Sequence, residues 1–194
     1  MKKAISLING EGYKVFFSDE AYSSLHSLIK KGSYSSIFFL VDTHTKVDCL
    51  PLFLKHFPEL EDTALIKIKA GEKNKHLKTC QEVWQQLSDL GADRKSLLIN
   101  LGGGVITDLG GFVAAAFKRG IDFVNVPTTL LSMVDASVGG KTGVDLGGLK
   151  NQIGIIKEPA FVVIDDAFLQ TLPQDELRSG YAEMLKHGLI ADAD

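Results

Sequence analysis

Apolar residues fall along this chain in two alternating rhythms. Short, nearly uninterrupted runs at Lys14 to Phe17, Ile37 to Val41, Ala64 to Ile68 and Leu97 to Leu101 have the length and branched content of strands buried on both faces. Between them, Glu20 to Lys31, Lys46 to Phe57 and Lys75 to Leu90 read as helices. The last is the clearest, because Leu77, Val83, Trp84, Leu87 and Leu90 follow helical spacing and Gly91 stands just past the end. Strand alternating with helix predicts a parallel sheet with helices on both faces. Beyond Leu101 the pattern gives a glycine turn, a helix from about Val105 to Lys118, a strand from Phe123 to Val126 and a helix started by Pro127-Thr128-Thr129. A glycine-rich loop then leads to a strand at Phe161 to Ile164. At Pro173 the character changes: Pro173-Gln174-Asp175-Glu176 carries the proline and acids of a helical first turn, and Ser179 is placed to cap a further helix, Gly180 to Ile190.

Composition narrows the partners. With 45% hydrophobic and 23% charged residues the 194-residue chain has the balance of a globular domain. A net charge of -3 supplies no field for nucleic acid or an anionic membrane, so neither is expected as a partner. Uncharged stretches reach only about a dozen residues, short of the ~20 that a membrane span needs. Cys49 and Cys80 have no metal or disulfide spacing, which suits a reducing cytoplasm. The Ala4 to Ile8 run is too brief for a signal-peptide core. His26, His44, His56 and His76 have no partner at ligand spacing and read as surface residues.

Twelve of the nineteen glycines lie between Gly102 and Gly154, which points to close backbone approach there. Leu97 to Asp108 is a strand, a glycine turn and a helix start, the geometry that aims N–H groups and a helix dipole at a phosphate. It is not the GxGxxG fingerprint, because Thr107 holds the third glycine position. Gly139-Gly140-Lys141-Thr142 looks like the end of a P-loop, but Asp135 stands where that motif needs its first glycine. Lys118-Arg119, Lys141, Lys150-Asn151 and Lys186, interleaved with Asp108, Asp135 and Asp145, suit an anionic small molecule. Glu183, Lys186 and His187 share a helical face. By themselves they read as a salt-bridged face, since two ligands do not make a catalytic metal site.

One ordered series carries a resemblance: Gly71-Glu72-Lys73-Asn74-Lys75, Gly102-Gly103-Gly104 through Asp108, Gly111 to Ala115 with Lys118-Arg119-Gly120, Val126 to Leu131, Asp135 to Thr142, Lys150 to Gly154 and Ala182 to Gly188. From about residue 70 onward the chain resembles the 3-dehydroquinate synthase family. The resemblance implies an α/β, Rossmann-like NAD-binding domain over residues 1–172, followed at 173–194 by the opening helices of a mostly helical metal-binding domain. It also implies cyclisation of 3-deoxy-D-arabino-heptulosonate 7-phosphate, a sugar-acid phosphate, to 3-dehydroquinate with phosphate release. NAD and zinc or cobalt would be the cofactors and a homodimer the assembly.

Carried over residue by residue, Asp42, Glu72, Lys75, Gly103, Gly104, Val105 and Asp108 would hold the adenosine, ribose and pyrophosphate of NAD. Thr128, Thr129, Lys141, Lys150 and the turn Phe168, Leu169, Gln170, Thr171 would border it. Asp135, Lys141, Asn151 and Lys186 would face the substrate, Arg119 would reach the phosphate of a neighbouring subunit, and Glu183 would be the first metal ligand, with His187 behind it. Three departures stand out: Gly148-Leu149-Lys150-Asn151 replaces a usual Leu-Gly-Lys-Asn, Thr107 replaces a frequent glycine, and the family's two metal-binding histidines do not occur in these residues. The isolated chain is therefore expected to lack turnover. Two alternatives remain open, an aminocyclitol-type sugar-phosphate cyclase and a metal-dependent dehydrogenase of the glycerol dehydrogenase type.

Overall fold

A computed structural model describes residues 7–10 and 13–191. The first half runs β1 (Leu7–Asn9), β2 (Lys14–Phe17), α1 (Ser18–Gly32), β3 (Ile37–Asp42), α2 (Thr45–Asp48), α3 (Leu50–Leu54), β4 (Ala64–Ile68) and α4 (Leu77–Asp89). The second runs β5 (Leu97–Gly102), α5 (Gly104–Ala116), β6 (Asp122–Pro127), β7 (Lys141–Leu146), β8 (Leu149–Ile156), β9 (Phe161–Ile164) and α6 (Gln174–Ala191). Seven strands make one sheet in the order β1-β2-β9-β6-β5-β3-β4. All its pairings are parallel except the edge pair β1 and β2.

The near-continuous apolar strands are explained by their two buried faces. Phe39, Val41, Leu97, Ile99 and Leu101 point into one core, while Phe38, Leu40 and Leu98 point into the other. Asn100 interrupts the second set and donates to Asn125 Oδ1 at 3.0 Å. Helix α5 lies directly over it: a Cβ on Gly110 would sit 2.1 Å from Asn100 Oδ1. Only glycine permits this helix-to-sheet distance.

Several elements differ from the sequence expectation. The single helix expected over Lys46 to Phe57 is two, α2 and α3, broken at Cys49, because Pro51 lacks an N–H and restrains the residue before it. Helix α4 begins two residues later than Lys75, since Lys75 and His76 have non-helical backbone and the His76 ring accepts the Thr79 N–H at 3.2 Å. After Pro127-Thr128-Thr129 the helical stretch is short and ends in a π-turn, Ser132–Ala136. The expected glycine loop is the antiparallel hairpin of β7 and β8, turning at Gly147 and Gly148, both at positive φ. The two helices expected after Pro173 are one. Ser179 donates to the Asp175 carbonyl within α6 rather than capping a new helix.

Both cysteines are buried and free, and burial pushes their thiols up to about 11 for Cys49 and about 12 for Cys80. Among the described residues no helix is long and apolar enough to cross a membrane.

Candidate active site

Strands β3 and β5 are neighbours, but the chain leaves them in opposite directions, to β4 on one side and β6 on the other. Such a divergence opens a crevice at the carboxyl ends of the strands. A cleft of about 570 Å³ lies there, lined by Asp42 after β3, Gly103, Gly104 and Val105 at the start of α5, and Thr128 and Thr129 after β6. No side chain caps the amino end of α5, so its free N–H groups and positive dipole end are available to an anion. The buried Thr128 hydroxyl has no hydrogen-bond partner among the described residues. Phe168 and Thr171 also line this cleft, and Lys150 reaches over it to Glu72 at 3.0 Å.

A second cavity of about 440 Å³ adjoins it and collects Asp108, Asp135, Lys141 and Asn151. Asp108 lines both spaces. Beside it, the Lys75 ammonium, only 5% exposed, donates to Asp108 Oδ2 and Asn151 Oδ1, each at 2.6 Å. A buried cation is therefore shared between the wall of one cavity and the amide of the other.

Helix α6 packs against the π-turn that carries Asp135, one of the residues lining the second cavity. Its contact point is Gly180, where a Cβ would lie 2.5 Å from Leu130 Cβ; the close approach brings the next turn beside Asp135. There His187 Nε2 lies 3.3 Å from Glu183 Oε1 and 3.8 Å from Asp135 Oδ1, and the three ligand atoms lie within 4.8 Å of one another. Lys186 pairs with Glu183 on the same face. That ammonium, reinforced by His187, holds the Glu183 carboxyl below the usual range, and Glu183 in turn pushes Lys186 up.

Burial pushes the Asp108 carboxyl up to about 6, against the pull of Lys75 and with help from the charges of Glu72 and Asp135. In the unfolded chain this group has its ordinary value near 3.8. Between those values the folded chain holds a proton that the unfolded chain has lost. Its contribution to stability is thus greatest below about pH 4, falls as pH rises toward 6, and is flat above. Urea midpoints of the wild type and Asp108→Asn at pH 4 and pH 7 check this: the difference between the two proteins is expected to change across that interval in the sense that the wild type loses ground at pH 7.

Of the site residues singled out from the sequence, five line neither cavity: Glu183 and Lys186, which stand on α6 beside Asp135 at the margin of the second, and Arg119, Leu169 and Gln170. Arg119 immediately precedes β6, at the amino ends of the strands, whereas both cavities lie toward their carboxyl ends. Leu169 packs against the apolar core, and Gln170 is exposed and lines neither space. Sequence reasoning in turn missed Asp135 and His187 as near neighbours, because the π-turn and α6 meet only in three dimensions. It also gave Asp145 no particular place. Its carboxylate accepts the Asn151 N–H at 2.8 Å.

Comparison with known proteins matches residues 65–179 to the family model described as 3-dehydroquinate synthase N-terminal. The chain is 46% identical over 181 residues to a 3-dehydroquinate synthase of Parabacteroides distasonis, covering 93% of this chain and 51% of that protein. It is 41% identical over 193 residues to the one of Acetivibrio thermocellus, covering 96% and 52%. The chain thus spans about half the length of the curated relatives it matches. Among solved structures it is similar to 2-deoxy-scyllo-inosose synthase complexed with carbaglucose-6-phosphate, NAD+ and Co2+, with a TM-score of 0.83, 26% identity and coverage of 92% and 49%. It is also similar to 2-epi-5-epi-valiolone synthase of Streptomyces hygroscopicus with NAD+ and Zn2+, with a TM-score of 0.79, 30% identity and coverage of 98% and 53%. Iron-containing alcohol dehydrogenases at 15% and 16% identity share the fold.

Proposed function

The chain belongs to the 3-dehydroquinate synthase family, and from that premise we propose that it forms the NAD-binding side of an enzyme that converts 3-deoxy-D-arabino-heptulosonate 7-phosphate to 3-dehydroquinate and phosphate. The observation that carries this reading is the pair of adjoining cavities that share Asp108, whose carboxylate is held by the buried Lys75 ammonium of the larger cleft. One cavity has the open helix end of a dinucleotide site, the other a set of cationic and amide groups suited to a hydroxylated anion.

In this reading the amino end of α5 takes the pyrophosphate, and Asp42 and Asp108 stand at the riboses. The unpartnered Thr128 hydroxyl is a polar group that a bound cofactor would satisfy. NAD held there would supply reversible hydride acceptance, the chemistry by which a C–H next to an oxidised carbon becomes acidic enough for phosphate to leave. Lys141, Asn151 and Lys186 bind and orient the substrate, their positive and donor groups facing negative charge as it develops. Glu183 would hold zinc or cobalt, which supplies a Lewis acid for the substrate oxygens. The carboxylates of Asp135 and Glu183 with the His187 imidazole are a donor set suited to such an ion.

We assign residues 1–172 to the cofactor domain, and α6 to the start of a helical metal-binding domain. Arg119, remote from both cavities of its own chain, would act on substrate only in a second copy, hence a homodimer. The two free, buried cysteines suit the cytoplasm. The relatives at 46% and 41% identity are named for the dehydroquinate reaction, which favours it over that of the cyclases at 26% and 30%.

Turnover tests the reading. The 194 residues alone are expected to release no phosphate from the heptulosonate phosphate, and the same chain joined to a helical metal-binding domain of the family is expected to release it in the presence of NAD and Co2+. Release from glucose 6-phosphate but not from the heptulosonate phosphate would contradict the substrate assignment.

A further inference from the structure

The β7–β8 hairpin has an irregularity beside Lys75. Val144 pairs with Ile153 and Leu146 with Leu149, so between these pairs a single residue, Asp145, stands opposite Lys150, Asn151 and Gln152. Asp145 does not pair across the hairpin with its backbone. Its N–H donates to the Lys75 carbonyl at 2.9 Å, and it forms an isolated parallel bridge with His76. The ladder partner that β8 has lost is replaced by a side chain, since Asp145 Oδ1 accepts the Asn151 N–H at 2.8 Å. Asn151 is left-handed there, with φ 53°, a region that asparagine enters more readily than most residues with a side chain, yet at a cost that the Asp145 contact helps to offset.

The consequence lies in where two consecutive side chains go. Lys150 extends to Glu72 at the lip of the larger cleft. Asn151 turns into the smaller cavity and accepts from the Lys75 ammonium at 2.6 Å. Lys75 is thus held at both ends, its carbonyl by the Asp145 backbone and its ammonium by Asn151 and Asp108.

We propose that Asp145 is a positioning residue: through one backbone and one side-chain hydrogen bond it clamps the hairpin to the Lys75 segment and fixes the left-handed turn that sends Lys150 to one cavity and Asn151 to the other. It touches neither ligand. Its influence on NAD rests on the function proposed above, but its influence on Asn151 does not.

The test therefore has two readouts on the 194-residue chain, hydrogen exchange of the Asn151 amide without ligand and calorimetric titration with NAD. In D145A the Asn151 amide is expected to exchange at least tenfold faster and NAD to bind roughly tenfold more weakly, the scale of one lost hydrogen bond with its attendant disorder. D145N keeps an acceptor oxygen and is expected to restore both to within about twofold of wild type. Because glycine takes the left-handed conformation unaided, adding D145A to N151G is expected to change NAD affinity by less than about threefold, and this comparison decides the matter should D145A alone not fold. Unchanged amide exchange in D145A, a D145N that behaves like D145A, or a full tenfold loss in the N151G background would each overturn the proposal. A wild-type chain that binds no NAD would defeat the proposed function instead, leaving the amide exchange to decide the role of Asp145.

Discussion

Replacing Lys75 by methionine is expected to weaken both the fold and the cofactor cleft. The ammonium is buried between Asp108 and Asn151, and removing one partner of a buried pair typically costs about 3–5 kcal/mol. For a chain of this length that is a fall in melting temperature of roughly 6–20 °C. A charge-assisted hydrogen bond is also lost from the wall of the cleft, so NAD affinity should fall about 10- to 100-fold. Most of the stability loss is expected to come from the stranded Asp108 carboxylate, which the Lys75→Met, Asp108→Asn double variant removes. Thermal melts of the two single variants and the double variant check this. A double variant that melts as low as Lys75→Met would show that the ion pair is not the source of the loss.

A second large effect is expected at Glu183, in the enzyme completed by its helical metal-binding domain. Glu183→Gln removes a carboxylate from the donor group it forms with Asp135 and His187 and leaves Lys186 without its partner. Electrostatic stabilisation by a metal is worth several kcal/mol, so turnover should fall by roughly a thousandfold. The cleft lined by Gly103, Gly104 and Thr128 does not include Glu183, and NAD affinity should stay within about twofold. Measuring kcat and the NAD dissociation constant together separates the two. Equal losses in both would mean that Glu183 supports the fold rather than the metal.

The sheet was legible because central parallel strands are buried on both faces and therefore almost wholly apolar, as the runs from Ile37 and Leu97 are, while the Ala64 run, which forms the edge strand β4, carries the exposed Lys67. The crevice followed from the glycine turn at Gly102 to Gly104. What the pattern did not yield was structure held by single polar contacts. The β7–β8 hairpin has exposed apolar residues such as Leu149 and Ile156 and glycines where a strand signal would be sought, so its alternation is faint. Ser179 reads as a cap because its hydroxyl could serve one, yet the Asp175 carbonyl claims it and Gly180 is kept helical by packing on Leu130. Of the candidate site, residues borne on glycine turns were found from local sequence and resemblance. The joining of Asp135 to Glu183 and His187 depends on how α6 crosses the π-turn, over which local spacing has no hold.

The most direct test of the central claim, that the crevice between β3 and β5 is a dinucleotide site, is a calorimetric titration of the 194-residue chain with NAD and, separately, with zinc. The account predicts one NAD site per chain, weakened by Lys75→Met, and a zinc affinity lower than that of the enzyme completed by its metal-binding domain. Clear zinc binding by a chain that takes up no NAD would contradict it.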